Sequence, residues 1–239
     1  IISTTIESAE VIKYASNSFL ATKISFINEV ADLCEIVGAN IQDVSEAMGL
    51  DNRIGKKFLN AGPGFGGSCF PKDVKAFSAT AKQHNVELTI INAVDVSNEL
   101  RPKKISLKIL KKFNNKIDGI TIGILGLSFK PNTDDIRNST SLIIAKELIK
   151  AGAIIKCYDP YAMKNAKNFL TDLNCCQSAY ETCEGAKALL IATDWDEFRK
   201  LDLNKIKEIM TDPVIFDLRN IYNKEEVKNL GIEYNGIGK

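Results

Sequence analysis

The residues best suited to chemistry gather in one stretch, Asn60-Ala-Gly-Pro-Gly-Phe-Gly-Gly-Ser-Cys-Phe-Pro-Lys-Asp73. Gly62, Gly64, Gly66 and Gly67 precede Cys69. Glycine lets a backbone approach a ligand closely and turn its amide N–H groups toward anionic oxygens. Pro71 suits the start of a helix, which places Cys69 at a helix N-terminus. The positive end of the helix dipole and the neighbouring Lys72 there favour the thiolate, the nucleophilic form of cysteine. A mere connector does not need this composition around one thiol. Asp73 follows Cys69 by four residues, so it either positions or deprotonates a water shared with the thiol or only complements the dipole of its own first turn. Lys13 and Asn17 share the same i, i+4 spacing. They either donate hydrogen bonds to a developing oxyanion or form a solvated polar stripe.

Helices must hold these groups. From Ser8 to Val37 apolar residues recur at three- and four-residue steps, and Gly38 ends the pattern. Asn40 caps a short second helix that stops near Gly49. Residues 51 to 69 contain five glycines and one proline and show no strand pattern, so they form a loop, and Gly-rich loops of this length are usually functional. Helical periodicity resumes from about Pro71 to His84 and from Leu88 to Phe113, with a break or kink expected at Arg101-Pro102. After residue 119 the character changes. Buried-strand runs at Gly119 to Gly126, Ala153 to Tyr158, Ala188 to Ala192 and Val214 to Phe216 alternate with helices at Ser139 to Lys150 and about 202–210 and 223–230. That alternation predicts a parallel α/β sheet. Gly123 and Gly126 make only half of a dinucleotide fingerprint. Lys130 and Arg137 lie in a polar insert at the C-terminal edge of the sheet, where ligands of such sheets bind and where cations suit phosphates, although a solvated turn has the same composition.

Composition excludes several classes. With 31 Lys+Arg against 30 Asp+Glu, the net charge of +1 leaves no basic footprint for nucleic acid. No apolar run approaches the ~20 residues of a membrane helix, and no signal peptide opens the chain, so a cytoplasmic protein is expected. A single His and six unpatterned cysteines suit neither a metal site nor a disulfide scaffold. The start at Ile-Ile-Ser-Thr-Thr, directly upstream of a helical pattern, points to the back part of something longer.

Seven segments carry a resemblance: Lys13-Tyr-Ala-Ser-Asn17, Lys23-Ile-Ser-Phe-Ile-Asn-Glu29, Phe58 to Asp73, Gly126 to Arg137, Tyr158-Asp-Pro160, Thr193 to Phe198 and Phe216-Asp-Leu-Arg219. In order, and over essentially the whole chain, they resemble the nucleotide-sugar dehydrogenases. The resemblance implies an all-helical dimerisation domain over 1–115 that bears the catalytic Cys. It is followed over 119–239 by a Rossmann-like parallel α/β domain that binds UDP. The N-terminal NAD-binding Rossmann domain of the family has no counterpart in this sequence, so inactivity of these residues alone is expected. The implied chemistry is NAD-dependent oxidation of UDP-glucose to UDP-glucuronate in two steps, through a thiohemiacetal and a thioester on Cys69. Lys13 and Asn17 match the oxyanion stabilisers, and Asp73 the acid of the water step. Phe58, Asn60, Gly62, Gly64, Phe65 and Gly66 match the loop around the UDP-sugar; Phe129, Lys130 and Arg219 match further substrate contacts. Arg53 matches an arginine offered by the partner subunit of a homodimer, and Cys69, Lys72 and Arg137 match the cofactor side. Position 60 departs from relatives that carry Lys, because Asn donates a hydrogen bond but no charge. The Phe-Gly-Gly-Ser-Cys pattern is similar to the UDP-glucose branch, with GDP-mannose dehydrogenases as the alternative enzyme and a non-catalytic UDP-sugar-binding dimer module as the alternative of another class.

Overall fold

A computed structural model describes residues 1–239. The first half is helical, with α1 (Ile6–Val37), α2 (Ile41–Gly49), α3 (Phe70–Gln83) and α4 (Thr89–Lys112). Strands and helices then alternate: β1 (Thr121–Leu125), α5 (Thr140–Lys150), β2 (Ile154–Tyr158), α6 (Met163–Phe169), β3 (Asn174–Cys175), α7 (Ala179–Cys183) and β4 (Ala188–Ile191). The chain ends with α8 (Asp196–Arg199), α9 (Leu203–Ile209), β5 (Val214–Asp217), α10 (Lys224–Asn229) and β6 (Glu233–Gly236). The helical half followed by a parallel α/β half is the architecture expected from the sequence.

Local chemistry sets the helix ends. The Thr5 side chain accepts the Ser8 N–H at the start of α1, and Gly38 stops it with φ 76°, a left-handed conformation that glycine adopts without strain. Along α1 the buried positions Ser18, Ala21, Ser25, Asn28 and Ala31 are mostly small, which lets α3 and α4 lie close against it. The break that Arg101-Pro102 could have made is absent: α4 runs unbroken through Pro102. Proline removes an N–H and crowds the preceding turn, but Arg101 and Pro102 are both buried here, and packing overrides the local preference.

The six strands are all parallel in the order β3-β2-β1-β4-β5-β6. The order reverses between β1 and β4, the place where doubly wound sheets bind ligands. Side chains alternate along each strand. Ile122, Ile124, Leu190 and Phe216 enter one apolar cluster, while Leu125, Leu189, Ile191 and Ile215 enter another on the opposite face. The first cluster also contains Ile27, Ile105 and Ile109, so α1 and α4 share a continuous core with the sheet. The C-terminal residues close the joint: Gly238 donates its N–H to Glu35 (2.9 Å), and its carbonyl accepts the Ile41 N–H (2.9 Å). No helix is long and apolar enough to cross a membrane.

The buried carboxylate of Asp159, just after β2, organises the sheet edge that faces the ligand side. Its Oδ2 accepts the N–H groups of Leu127 (2.7 Å) and Ser128 (3.1 Å) and the Trp195 indole N–H (3.3 Å). Its Oδ1 accepts those of Tyr161 (2.9 Å) and Ala162 (2.8 Å). One side chain thereby ties the loops after β1, β2 and β4 together. Replacing Asp159 by Ala leaves several buried donors unpaired and is expected to lower unfolding free energy by roughly 3–5 kcal/mol. Urea denaturation measures this, with exposed Asp172→Ala as the control expected to move stability by less than about 0.5 kcal/mol.

Candidate active site

The glycine-rich loop between α2 and α3 is held from three sides. From α1, the Asn28 side chain accepts the Gly62 N–H (2.8 Å). From α4, the Arg101 Nε donates to the Gly62 carbonyl (3.1 Å) and its Nη1 to the Asn28 carbonyl (3.2 Å), while the guanidinium pairs with Asp32. One helical turn earlier, Asn98 accepts the Phe65 N–H (2.9 Å) and donates to the Phe65 carbonyl (3.0 Å). From the α/β half, the Arg137 carbonyl accepts the Gly67 N–H (2.7 Å). Glycine is required where the packing is tightest: a Cβ at Gly66 would collide with the Asn138 carbonyl, and Gly67 has φ 80° beneath the Phe129 ring. The amides of Gly64 and Gly66 are taken by no protein acceptor.

Under this loop lies a cavity of about 470 Å³. Eight of the residues picked from the sequence line it: Phe58, Asn60, Gly62, Gly64, Phe65 and Gly66 from the helical half, and Phe129 and Arg219 from the sheet half. Phe58 adopts φ 64°, a costly conformation for a bulky side chain and one that concentrates at functional sites. Arg219 reaches the cavity from the end of β5. Its Nε donates to the Ala192 carbonyl (2.9 Å) and its Nη2 to the Phe129 carbonyl (3.3 Å). Burial draws its guanidinium down from the ordinary value, against the pull of Asp194 and Asp217, yet arginine stays charged throughout the physiological range.

A second cavity of about 470 Å³ is lined by Gly67, Ser68, Cys69, Lys72, Arg137 and Asn138. Residues 66 to 70 form the wall between the two cavities, since Gly66 and Phe70 line the first. Cys69 caps α3 and its thiol is exposed. The other thiols differ. Cys34, Cys157, Cys176 and Cys183 are buried and Cys175 half-buried. Burial pushes the Cys183 thiol up to about 12, raises Cys176, and raises Cys157 still further with help from Cys175. No group of three or more His, Cys, Asp or Glu is placed to hold a metal ion.

Asp73, one turn into α3, has no exposed surface, and its N–H donates to the Cys69 carbonyl (2.8 Å). Asn17 donates to its Oδ2 (2.7 Å), the Lys13 Nζ stands 3.6 Å from the same oxygen, and the Lys72 Nζ stands 3.4 Å from Oδ1. The structure thus brings Lys13, Asn17 and Asp73 together, and it adds an ion pair to the reading of Lys72, whose ammonium stands beside Asp73 while the residue lines the thiol cavity. Burial pushes the Asp73 carboxyl up, but the Asn17 hydrogen bond and the Lys72 and Lys13 charges outweigh it and hold it below the ordinary carboxylate range.

Of the remaining picked residues, Arg53 and Lys130 line neither cavity, whereas Arg137 lines one. Arg53 is exposed on a turn, where it pairs with Asp51 (2.6 Å) outside both cavities. Lys130 lies over the Phe129 ring at 5.4 Å and does not line the cavity. Arg137 lines the thiol cavity, with its guanidinium bound to Asp135 (2.8 Å). Sequence reasoning missed Ile24, Lys57 and Phe70, which line the first cavity, and the loop clamps Asn28, Asn98 and Arg101. Asn28 had a signal, because a polar residue on the apolar face of a long helix needs a buried partner.

A model of the central domain of the UDP-glucose/GDP-mannose dehydrogenase family matches residues 7–100, and one of the UDP-binding domain of the same family matches residues 123–224. The chain belongs to this family. Among curated members, a UDP-glucose 6-dehydrogenase of Rhizobium meliloti is 48% identical over 99% of this chain and 54% of its own length. One of Rickettsia typhi is 46% identical over 98% of this chain and 55% of its own. A solved UDP-glucose dehydrogenase of Pyrobaculum islandicum superposes with a TM-score of 0.86 at 37% identity, over 97% of this chain and 51% of that one. The chain therefore spans about half the length of the family members it matches.

Exposure orders the thiols of this family member. Alkylation of the native chain is expected to modify Cys69 first, with Cys175 slower and the buried cysteines protected until unfolding. Peptide mass spectrometry reads that order, and early labelling of Cys157 or Cys183 would contradict it. Asp73 gives a pH signature. Because its folded pKa lies below the unfolded one, its contribution to stability is complete above about pH 4 and fades as pH falls through the depressed value. Asp73→Asn should flatten that part of the acid limb in a pH series of denaturation curves.

Proposed function

We propose that this chain supplies the nucleophile and the nucleotide-sugar pocket of a UDP-glucose 6-dehydrogenase. The observation that carries the reading is the exposed Cys69, on the wall between the glycine-loop cavity and a cavity flanked by Lys72 and Arg137. In this reading the UDP-sugar lies under residues 58 to 66, against Phe129 and Arg219, with C6 of the glucose toward the thiol. A first oxidation converts the C6 alcohol to an aldehyde, the Sγ–H adds across its carbonyl to give a thiohemiacetal, a second oxidation yields a thioester, and water then releases UDP-glucuronate and restores the thiol. Lys13 and Asn17 donate to the oxyanion, and Asp73 holds both donors and takes part in the water step. The exposed Lys72 and Arg137 fit the phosphates of NAD. When bound, NAD would accept a hydride from C6 in each oxidation. We place a helical unit at 1–115 and a UDP-binding unit at 119–239. A second copy would pack on the exposed stripe of Ile12, Phe19, Phe26 and Leu33 at seven-residue steps along α1. Arg53, exposed and paired with Asp51, would then be offered to the other copy's site.

Calorimetry on the 239-residue chain should show UDP-glucose binding, and saturating UDP-glucose should slow Cys69 alkylation by about tenfold or more. NADH formation by these residues alone is not expected, because hydride transfer needs a cofactor held rigidly against C6. Vigorous turnover would show that the cofactor side is misplaced. In an enzyme assembled with a cofactor-binding domain, Cys69→Ser should lower acid formation by at least ~10³-fold. A fully active Cys69→Ser enzyme would remove the thiol from the mechanism, and tighter binding of GDP-mannose than of UDP-glucose would change the substrate.

A further inference from the structure

We infer that Lys57 carries the mobile positive charge that selects a diphosphate in the glycine-loop cavity, a substrate-binding role that rests on the nucleotide-sugar reading above. Among the residues lining that cavity only Lys57 and Arg219 are cationic, and none is acidic. The Arg219 guanidinium is largely committed: two of its nitrogens donate to the Ala192 and Phe129 carbonyls, and Asp194 lies 4.0 Å from its Nε. Asn60 offers an amide without charge. The Lys57 ammonium, in contrast, takes part in no ion pair with any Asp or Glu of the chain, and its side chain is exposed beside the cavity. A buried anchor and a strained link fix its place. Leu59 is 2% exposed, and Phe58 before it has φ 64°, so Lys57, Phe58 and Asn60 are presented at the rim while Leu59 sinks into the core.

The same cavity is lined by Gly64 and Gly66, whose amides have no protein acceptor. Backbone N–H groups contribute partial charge and fixed direction, but a diphosphate also needs a full counter-charge. A lysine suits that role because its ammonium is a compact point charge on a flexible stem and can follow phosphate oxygens as a ligand settles. Arg219, fixed by two carbonyls, cannot follow.

The test is calorimetry of UDP-glucose on the 239-residue chain, in low and high salt, for the native sequence, Lys57→Met, Lys57→Arg and the double variant Lys57→Met with Asn60→Lys. Methionine keeps the apolar stem and removes only the charge. The expected result is a loss of about ten- to hundredfold in affinity for Lys57→Met, a weaker salt dependence, and near-native binding by Lys57→Arg. The double variant should regain most of the affinity, because position 60 lines the same cavity and can host the relocated charge. Native chain that binds UDP-glucose while Lys57→Met binds it equally well overturns the role of Lys57 and leaves the proposed function standing. Weakened binding by Lys57→Met that neither depends on salt nor is restored by Asn60→Lys also overturns it, since the loss would then come from loop shape. A native chain with no affinity for UDP-glucose overturns the proposed function itself.

Discussion

Arg101 places a guanidinium inside the helical half, only 5% exposed, where an ion costs several kcal/mol unless its donors are met. They are met by the Gly62 carbonyl, the Asn28 carbonyl and Asp32. The consequence runs outward. A glycine-rich loop has high conformational entropy, and a loop that must present amides to a ligand cannot satisfy itself with regular structure. Its shape therefore has to be imposed by side chains from elsewhere, and Arg101, Asn98 and Asn28 impose it by binding the main chain of Gly62 and Phe65. Everything downstream in the chain, including the turn at Gly66-Gly67, Cys69 and the first turn of α3, starts from those fixed points. The unbroken course of α4 through Pro102 belongs to the same constraint, since a break at that point would separate Asn98 and Arg101 from the buried half of the helix.

The sheet half supplies the other wall, and its precision depends on a second buried charge. Asp159 gathers amides from the loops after β1 and β2 and the indole of Trp195 after β4, which fixes Leu127 and Ser128 immediately before Phe129. Phe129 then covers Gly67, and its carbonyl receives Arg219. The two halves could not form one cavity if they moved independently. The apolar cluster shared by Ile27, Ile105 and Ile109 with the strands, and the Gly238 bridge to α1 and α2, hold them in one arrangement.

Much of this was legible in the sequence, and the reasons are particular. The long helical repeats, the Gly38 stop, the Asn40 cap and the strands β1, β2, β4 and β5 follow short-range rules that composition and spacing express directly. The two-residue β3, the half-exposed β6 and the short helices α6 to α8 do not, because they are set by docking onto neighbours already in place. At the site, the glycines, Phe58, Phe129 and Arg219 were readable from the motifs and do line one cavity. The clamps Asn98 and Arg101 were not, because they act on the loop from 33 and 39 residues away and nothing in their own neighbourhood marks them. Lys72 shows the limit of local reasoning in the other direction. Sequence places it beside the thiol, and it lines the thiol cavity, but its ammonium also pairs with Asp73, which spacing alone did not mark.

The arrangement around Asp73 explains how donors could await a charge that does not yet exist. A carboxylate hidden from solvent must be compensated by its neighbours: here the Lys13 and Lys72 ammoniums stand beside it and Asn17 donates a hydrogen bond to Oδ2, while Oδ1 accepts no hydrogen bond. None of the three is exhausted by the task. The Asn17 amide has a second N–H, and each ammonium has further donors to give. Asp73 thus gathers three donors: it accepts the Asn17 amide, and the ammoniums of Lys13 and Lys72 stand 3.6 and 3.4 Å from its oxygens, each with donors left to give. On the proposed chemistry, an oxyanion forming at C6 would meet donors that are already oriented, so little reorganisation is required as the charge appears, and that pre-orientation is where electrostatic catalysis gains most. The lowered pKa of Asp73 is the other face of the same fact, because the groups that hold the carboxylate ionised are the groups the reaction would use.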